Sequence, residues 1–130
     1  EGFGLPANAD TWNDLLMIPE LHARISLLDK SNQVVARLGD DVENVVTKKN
    51  VSRGNSKTWK AGKFVHPHDA CFSPQGDIFV AEWVQTGRIS KLKRISLGTT
   101  LLTRAFSGST ASDCSIACRL IRSQSSMPMT

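Results

Sequence analysis

Short apolar stretches alternate with turn-forming residues along most of the chain. Residues 15–18, 24–28 and 33–38 are rich in Leu, Ile and Val, and residues 29–32 have the composition of a turn. Short strands that are bounded by turn residues at this spacing are typical of an antiparallel meander. The pattern therefore predicts an all-β fold.

The same order of elements is expected a second time, over residues 64–95. A short strand leads into the turn 73–77, where Gly76 is placed to take a positive φ. A strand over residues 78–81, a loop and a strand over residues 88–92 complete this second unit.

The two units also match residue by residue. Residues 23–28, ARISLL, align with residues 87–92, GRISKL, and residues 16–20 align with residues 78–82. The matched positions lie 62 to 64 residues apart. A polar insertion between the units accounts for the excess over the ~40–50 residues of common propeller blades. Such self-similarity is typical of stacked units that cannot bury their apolar faces alone.

We expect residues 1–96 to form a partial β-propeller of about two blades, over residues 12–39 and 64–95, joined by the polar loop 40–63. Residues 97–130 are rich in Ser and Thr, carry a weak helical signal and match neither unit, so we expect a disordered or weakly helical tail. A small independent β-sheet domain with such a tail is the alternative architecture.

Composition and charge limit the classes of function. The apolar content is 40%, the charged content is 22% and the net charge is +4, which fits a globular protein and does not favour binding to nucleic acid. Basic residues crowd the insertion, but acidic residues precede them, so we interpret it as a solvated loop. The basic residues are Lys48, Lys49, Arg53, Lys57, Lys60 and Lys63, and the acidic ones are Asp40, Asp41 and Glu43.

The chain carries no recognisable targeting or redox signal. No apolar run is long enough to cross a membrane. The chain does not begin with Met and opens with neither region of a signal peptide, so we expect a piece of a longer protein whose upstream blades are missing. Cys71, Cys114 and Cys118 give neither a disulfide framework nor zinc-ribbon spacing, so they do not indicate a compartment.

The strongest candidate for chemistry is His66-Pro67-His68-Asp69, directly before a strand. Pro67 favours extended backbone at His66, and side chains two positions apart in an extended chain face the same way. His66 and His68 are therefore expected to point at one ligand. A catalytic zinc site often has three protein ligands, and this segment offers at most two histidines. The alternative is that these residues only satisfy the turn at the start of the strand.

Other polar and aromatic residues are expected mainly in structural roles. His22 is expected at the surface, and Trp12 and Trp83 are expected to pack within or between the units. Glu20 and Glu82 occupy matched positions, which favours a shared structural role such as a hydrogen bond to a backbone amide. Glu82, Trp83 and His22 are kept as candidates for ligand binding. The motifs of P-loops, dinucleotide-binding folds and zinc proteases are absent from the sequence.

Residues 64–95, FVHPHDACFSPQGDIFVAEWVQTGRISKLKRI, resemble a repeat of the NHL β-propeller superfamily. The shared pattern is a Pro-His-Asp entrance, a strand, a Gly-Asp turn, an Ile-Phe-Val-Ala strand, then Gly-Arg-Ile and a closing strand. Within the superfamily they look most like the last blade of the peptidyl-α-hydroxyglycine α-amidating lyase family and of lyase-like six-bladed propellers of environmental bacteria. Residues 12–39 fit the preceding blade.

The resemblance implies a zinc-dependent lyase that cleaves a peptidyl-α-hydroxyglycine to a peptide amide and glyoxylate. In that family three histidines from Pro-His entrances hold the zinc, and only His68 matches such a position here. Asp69 matches a residue that helps to hold a structural calcium, or it braces the loop. The equivalent entrance of the first unit, residues 5–8, has no histidine. The chain has no tyrosine, so the family's catalytic Tyr would lie upstream, and we expect an inactive fragment that holds no metal tightly.

Two functions stay open at this stage. One is a fragment of a lyase-like propeller with a peptide substrate, and the other is a non-catalytic NHL propeller that binds a protein or glycan through its loop face. The resemblance alone implies an extracytoplasmic location. Two blades leave apolar faces open because a propeller protects its edges by closing a ring. We expect these faces to be lined by Phe72, Ile78, Val80 and Leu92.

Overall fold

A computed structural model of the chain describes residues 2–95. These residues form two antiparallel β-sheets and two short helical turns, which confirms the predicted all-β fold. No helix among them is long and apolar enough to cross a membrane. The predicted tail, residues 97–130, lies outside the described residues. The strands are β1 (Asp10–Trp12), β2 (Leu15–Glu20), β3 (Arg24–Leu28), β4 (Val34–Leu38), β5 (Pro67–Phe72), β6 (Ile78–Glu82) and β7 (Arg88–Leu92).

The first sheet is a four-stranded meander in the order β1-β2-β3-β4. Asn13 in the turn between β1 and β2 and Asn32 in the turn between β3 and β4 have positive φ angles, a conformation that asparagine tolerates well. The strands predicted from residue 15 onward correspond to β2, β3 and β4. Strand β1 was not predicted, so the sheet begins at Asp10 rather than at residue 12.

The second sheet has the order β5-β6-β7, three strands within the part of the chain that the structure describes. Gly76 has a φ of 85° in the turn between β5 and β6, as the sequence predicted. A side chain at this glycine would meet the ring of Trp12, 2.7 Å from the position of its Cβ. The turn therefore packs against the first sheet as well as reversing the chain.

The two sheets share one plan of strand pairing. Matched residues are offset by 61 positions in the first strand, 62 in the second and 64 in the third. Three pairs illustrate it: Asp10–Met17 corresponds to Cys71–Phe79, Leu16–Leu28 to Ile78–Leu92, and Glu20–Arg24 to Glu82–Arg88. The internal sequence match therefore marks equivalent structural positions. We call residues 2–39 the first repeat and residues 64–95 the second repeat.

The main hydrophobic core lies between the two repeats. It is formed by Met17, Ile25, Leu27 and Leu38 of the first repeat and by Phe64, Ala70, Ile78 and Val80 of the second. Phe72 and Leu92 pack at its margin. The prediction that Phe72, Ile78, Val80 and Leu92 line open faces is therefore wrong. Strand alternation places these four on one face, but the order in which the repeats stack decides which face is covered.

The insertion 40–63 contributes a second, smaller core. Val45 and Val51 are buried against Ala23 of the first repeat and Val65 and Val84 of the second. Val45 lies on a single π-helical turn, Glu43–Thr47, and most of the remaining insertion is exposed. Val46 and Trp59 of the insertion also pack against this core. These four apolar residues are spaced without a helix or strand period, so the sequence indicated only a solvated loop.

Candidate functional site

Each repeat begins with an entrance segment that is hydrogen-bonded to the loop after its second strand. The entrance segments are residues 5–8 in the first repeat and residues 66–69 in the second. Matching backbone bonds run from Leu21 N to Leu5 O at 2.9 Å and from Trp83 N to His66 O at 2.8 Å. The predicted equivalence of the two entrance segments is therefore present in the hydrogen bonds.

A buried glutamate fixes the start of each repeat to its sheet. In the second repeat Glu82 accepts hydrogen bonds from Val65 N at 2.7 Å and from Arg88 Nη2 at 2.8 Å. The other Glu82 oxygen accepts from Arg88 Nε, so both oxygens are engaged and the residue has a structural role. The predicted bond to a backbone amide is confirmed in both repeats. The equivalent bonds of the first repeat join Glu20 to Gly4 N at 2.5 Å and to Arg24 Nε at 3.0 Å.

His68 lies on a β-bulge at the start of the second repeat. The register between β5 and β6 shifts between Pro67 and Asp69, which leaves His68 as the extra residue. Its side chain is exposed, and its ring meets the ring of Trp83 edge-on, with centroids 6.0 Å apart. Within residues 2–95 neither imidazole nitrogen has a hydrogen-bond partner. The bulge therefore presents a histidine whose nitrogens are available to a ligand.

His66 is held by the first repeat instead. Its Nδ1 lies 2.6 Å from the carbonyl oxygen of Leu21. Because a carbonyl only accepts, Nδ1 is the donor in this contact. The bulge at His68 interrupts the alternation from which a shared orientation of His66 and His68 was predicted. The two rings contact different loops.

Asp69 connects the two entrance segments. Its Oδ1 accepts a hydrogen bond from the side-chain amide of Asn8, which occupies the equivalent position in the first repeat. The two repeats are therefore joined at the site by a direct polar contact as well as by the core. A calcium role for Asp69 stays a prediction.

Trp83 was expected to pack within or between the units, but it is 54% exposed and does not belong to either core. The guanidinium of Arg53 lies 3.9 Å from the centroid of its ring, a cation–π contact. The backbone of the insertion is joined to the same loop because Gln85 N donates to Arg53 O at 3.1 Å. Arg53 was assigned to a solvated loop because the sequence contains no local signal for a contact thirty residues away.

His22 takes a different place from His68. Its backbone N donates to Gly4 O at 3.1 Å, and its side chain covers Gly4 so closely that a Cβ there would lie 2.5 Å from His22 Cβ. The residue is half-buried and packs against the start of the first repeat. Its position supports a packing role more than a binding role.

Residues 2–95 contain no group of three or more His, Cys, Asp or Glu side chains that could hold a metal ion. A zinc role for His68 stays a prediction, because one exposed histidine is fewer than the three protein ligands of a catalytic zinc site.

No protein-family model, no curated protein and no solved structure matches the chain. The resemblance to NHL repeats therefore stays a prediction from the motif residues of the second repeat. Neither the similarity nor the strand pairing assigns a reaction.

Proposed function

We propose that the chain forms two neighbouring repeats of an NHL-type β-propeller and contributes one wall of a ligand site that further repeats complete. The support is the position of His68, which the bulge exposes at the entrance of the second repeat beside Trp83. A Pro-His-Asp entrance in that position is the feature shared with the lyase-like propellers.

In this proposal His68 is one of several histidines that hold a zinc ion in the complete ring. A zinc ion held there would supply Lewis-acid polarisation of a substrate oxygen. The reaction that the resemblance implies breaks the C–N bond of a peptidyl-α-hydroxyglycine and gives a peptide amide and glyoxylate. Asn8 and Asp69 hold the two entrance segments together, which fixes the position of His68 relative to the first repeat.

A zinc titration of the chain tests the role of His68. We expect binding far weaker than the ~10–16 kcal/mol of complete structural zinc sites, because one or two histidines provide too few ligands. His68→Ala should abolish this weak binding, and His22→Ala should leave it unchanged, since His22 packs on Gly4. Calorimetry on the three proteins gives the comparison. A tight one-to-one site on the wild-type chain, or unchanged binding in His68→Ala, would contradict the proposal.

The second candidate is a non-catalytic propeller that binds a protein or glycan on the same loop face. The observation that favours it is the exposed ring of Trp83, held between Arg53 and His68. Aromatic side chains in such positions are common anchors in binding interfaces. In this case Trp83→Ala abolishes ligand binding, and zinc has no effect on it. If the zinc-dependent lyase is correct, loss of His68 abolishes zinc-dependent function and Trp83→Ala has the smaller effect.

A further inference from the structure

Strand alternation gives each repeat two faces, and both faces can be assigned from the strand pairing. We define the front face by Met17, Ile25 and Leu27 in the first repeat and by the matched Phe79, Ile89 and Lys91 in the second. We define the back face by Leu16, Ile18 and Leu28 in the first repeat and by the matched Ile78, Val80 and Leu92 in the second.

The core inside the chain joins one front face to one back face. Met17 and Ile25 on the front of the first repeat pack with Ile78 and Val80 on the back of the second. The same sequence repeat therefore carries two complementary surfaces. Only one of the two possible junctions is made within residues 2–95.

The remaining front and back faces each carry exposed apolar side chains. On the front of the second repeat, Phe79 is 38% exposed and lines a cavity of about 210 Å³ together with Cys71 and Ala81. On the back of the first repeat, Val34 is 41% exposed beside a groove of about 780 Å³ lined by Leu16 and Ile18. Each surface is the structural equivalent of one that is buried elsewhere in the chain.

We propose that a second copy of the chain binds here, with the back face of its first repeat on the front face of this chain's second repeat. The occupant is argued from continuity with the internal interface, since the new junction uses equivalent positions of the same repeat. The contact is head-to-tail, because two different faces meet. Copies therefore add in one direction and either close a ring or extend. The inference rests on the repeat geometry and is independent of zinc and of His68.

One substitution makes the intermolecular junction weaker than the internal one. Lys91 on the open front face stands where Leu27 lies in the core. Its ammonium is bound to Asp77 at 2.9 Å and covers the ring of Phe79 at 5.1 Å. The hydrogen bond from Lys91 also holds the pKa of Asp77 below its ordinary value. We therefore expect association that depends on protein concentration.

The test uses two variants that each block one face. Phe79→Lys blocks the front face, and Val34→Lys blocks the back face and places a second cation beside Arg37. Val35→Lys is the matched control, since Val35 is 39% exposed and lines neither surface. Sedimentation velocity is measured in EDTA on each protein alone and on the equimolar mixture of the two blocked variants.

Wild type and Val35→Lys should associate as concentration rises, and each blocked variant alone should stay monomeric at concentrations at least tenfold higher. The mixture should give a one-to-one dimer that grows no further, because each partner keeps one intact face. A monomeric wild type, no dimer in the mixture, or loss of association in Phe79→Lys but not in Val34→Lys would overturn the proposal. If circular dichroism shows a blocked variant to be unfolded, Cys71→Lys and Phe3→Lys replace the pair, with the same expected results.

Discussion

Glu20 and Glu82 tie the start of each repeat to its sheet. Both are buried. Each accepts one hydrogen bond from a backbone amide of the entrance region and at least one from an arginine on the neighbouring strand. A buried ion pair of this kind adds little net stability over an apolar pair, because desolvation offsets the attraction. Removal of one partner is costly, since the other charge is left without compensation. These residues therefore fix where the entrance segment lies.

We predict that Glu82→Ala lowers the free energy of unfolding by about 3–5 kcal/mol, because the Val65 amide loses its acceptor and the Arg88 guanidinium loses its carboxylate and keeps the Lys63 carbonyl. Glu43→Ala is the control, since Glu43 pairs with Lys48 at the surface and should change stability by less than ~1 kcal/mol. Urea unfolding of both variants measures the difference. Equal, small losses would show that the buried glutamate does not hold the entrance.

The insertion leaves the first repeat at Gly39, where conformation and packing both require glycine. Gly39 has a φ of 59°, and a Cβ at this position would clash with the ring of Phe64. Phe64 is almost fully buried in the core between the repeats, and its backbone N donates to Gly39 O. The two ends of the insertion are therefore held together by one close contact.

Gly39→Ala should destabilise the protein more than Gly62→Ala does. Both glycines have positive φ, so both substitutions carry a conformational cost of about 1 kcal/mol. Gly62 has open space around its Cα, whereas an alanine at Gly39 displaces Phe64 and adds about 1–3 kcal/mol of overpacking. Chemical denaturation of the two variants gives the difference, and equal losses would contradict the packing at Phe64.

Strands β2, β3, β4 and β6 could be predicted because each is rich in apolar residues and is bounded by turn residues. Strand β7 could be predicted because it matches β3, whereas only residues 70–72 of β5 were expected to be extended. Strand β1 could not, because its three residues have no period and it is held by distant bonds. One such bond runs from Phe72 N to Asp10 Oδ2 at 2.7 Å, and another from Trp12 Nε1 to Pro74 O at 3.1 Å. Neither partner is recognisable from local sequence.

The candidate site shows the same limit. Motif reasoning selected His68, and the repeat selected the two glutamates. Trp83 was expected to pack inside, because tryptophan side chains are on average highly buried in folded proteins. The exposure of Trp83 depends on Arg53 and on the insertion that carries it, so only the folded chain shows it.

At the scale of the whole molecule, two stacked repeats have four faces, a front face and a back face on each repeat. One front face and one back face are joined in the core, and one of each stays open. A large apolar side chain that stays exposed forgoes ~1.5–3 kcal/mol of burial, and a small domain has only ~5–15 kcal/mol of total stability. We therefore expect an isolated chain to be marginally stable and to gain stability when its open faces are covered.

We propose that this chain is a pair of repeats from a larger stack, and the midpoint of thermal unfolding at different protein concentrations tests this proposal most directly. Association of folded chains stabilises them by mass action, so the midpoint should rise by several degrees over about a hundredfold increase in concentration. The transition should be broad in dilute solution. A sharp transition with the same midpoint at every concentration, from a species that sediments as a monomer, would show a self-sufficient domain and contradict the account.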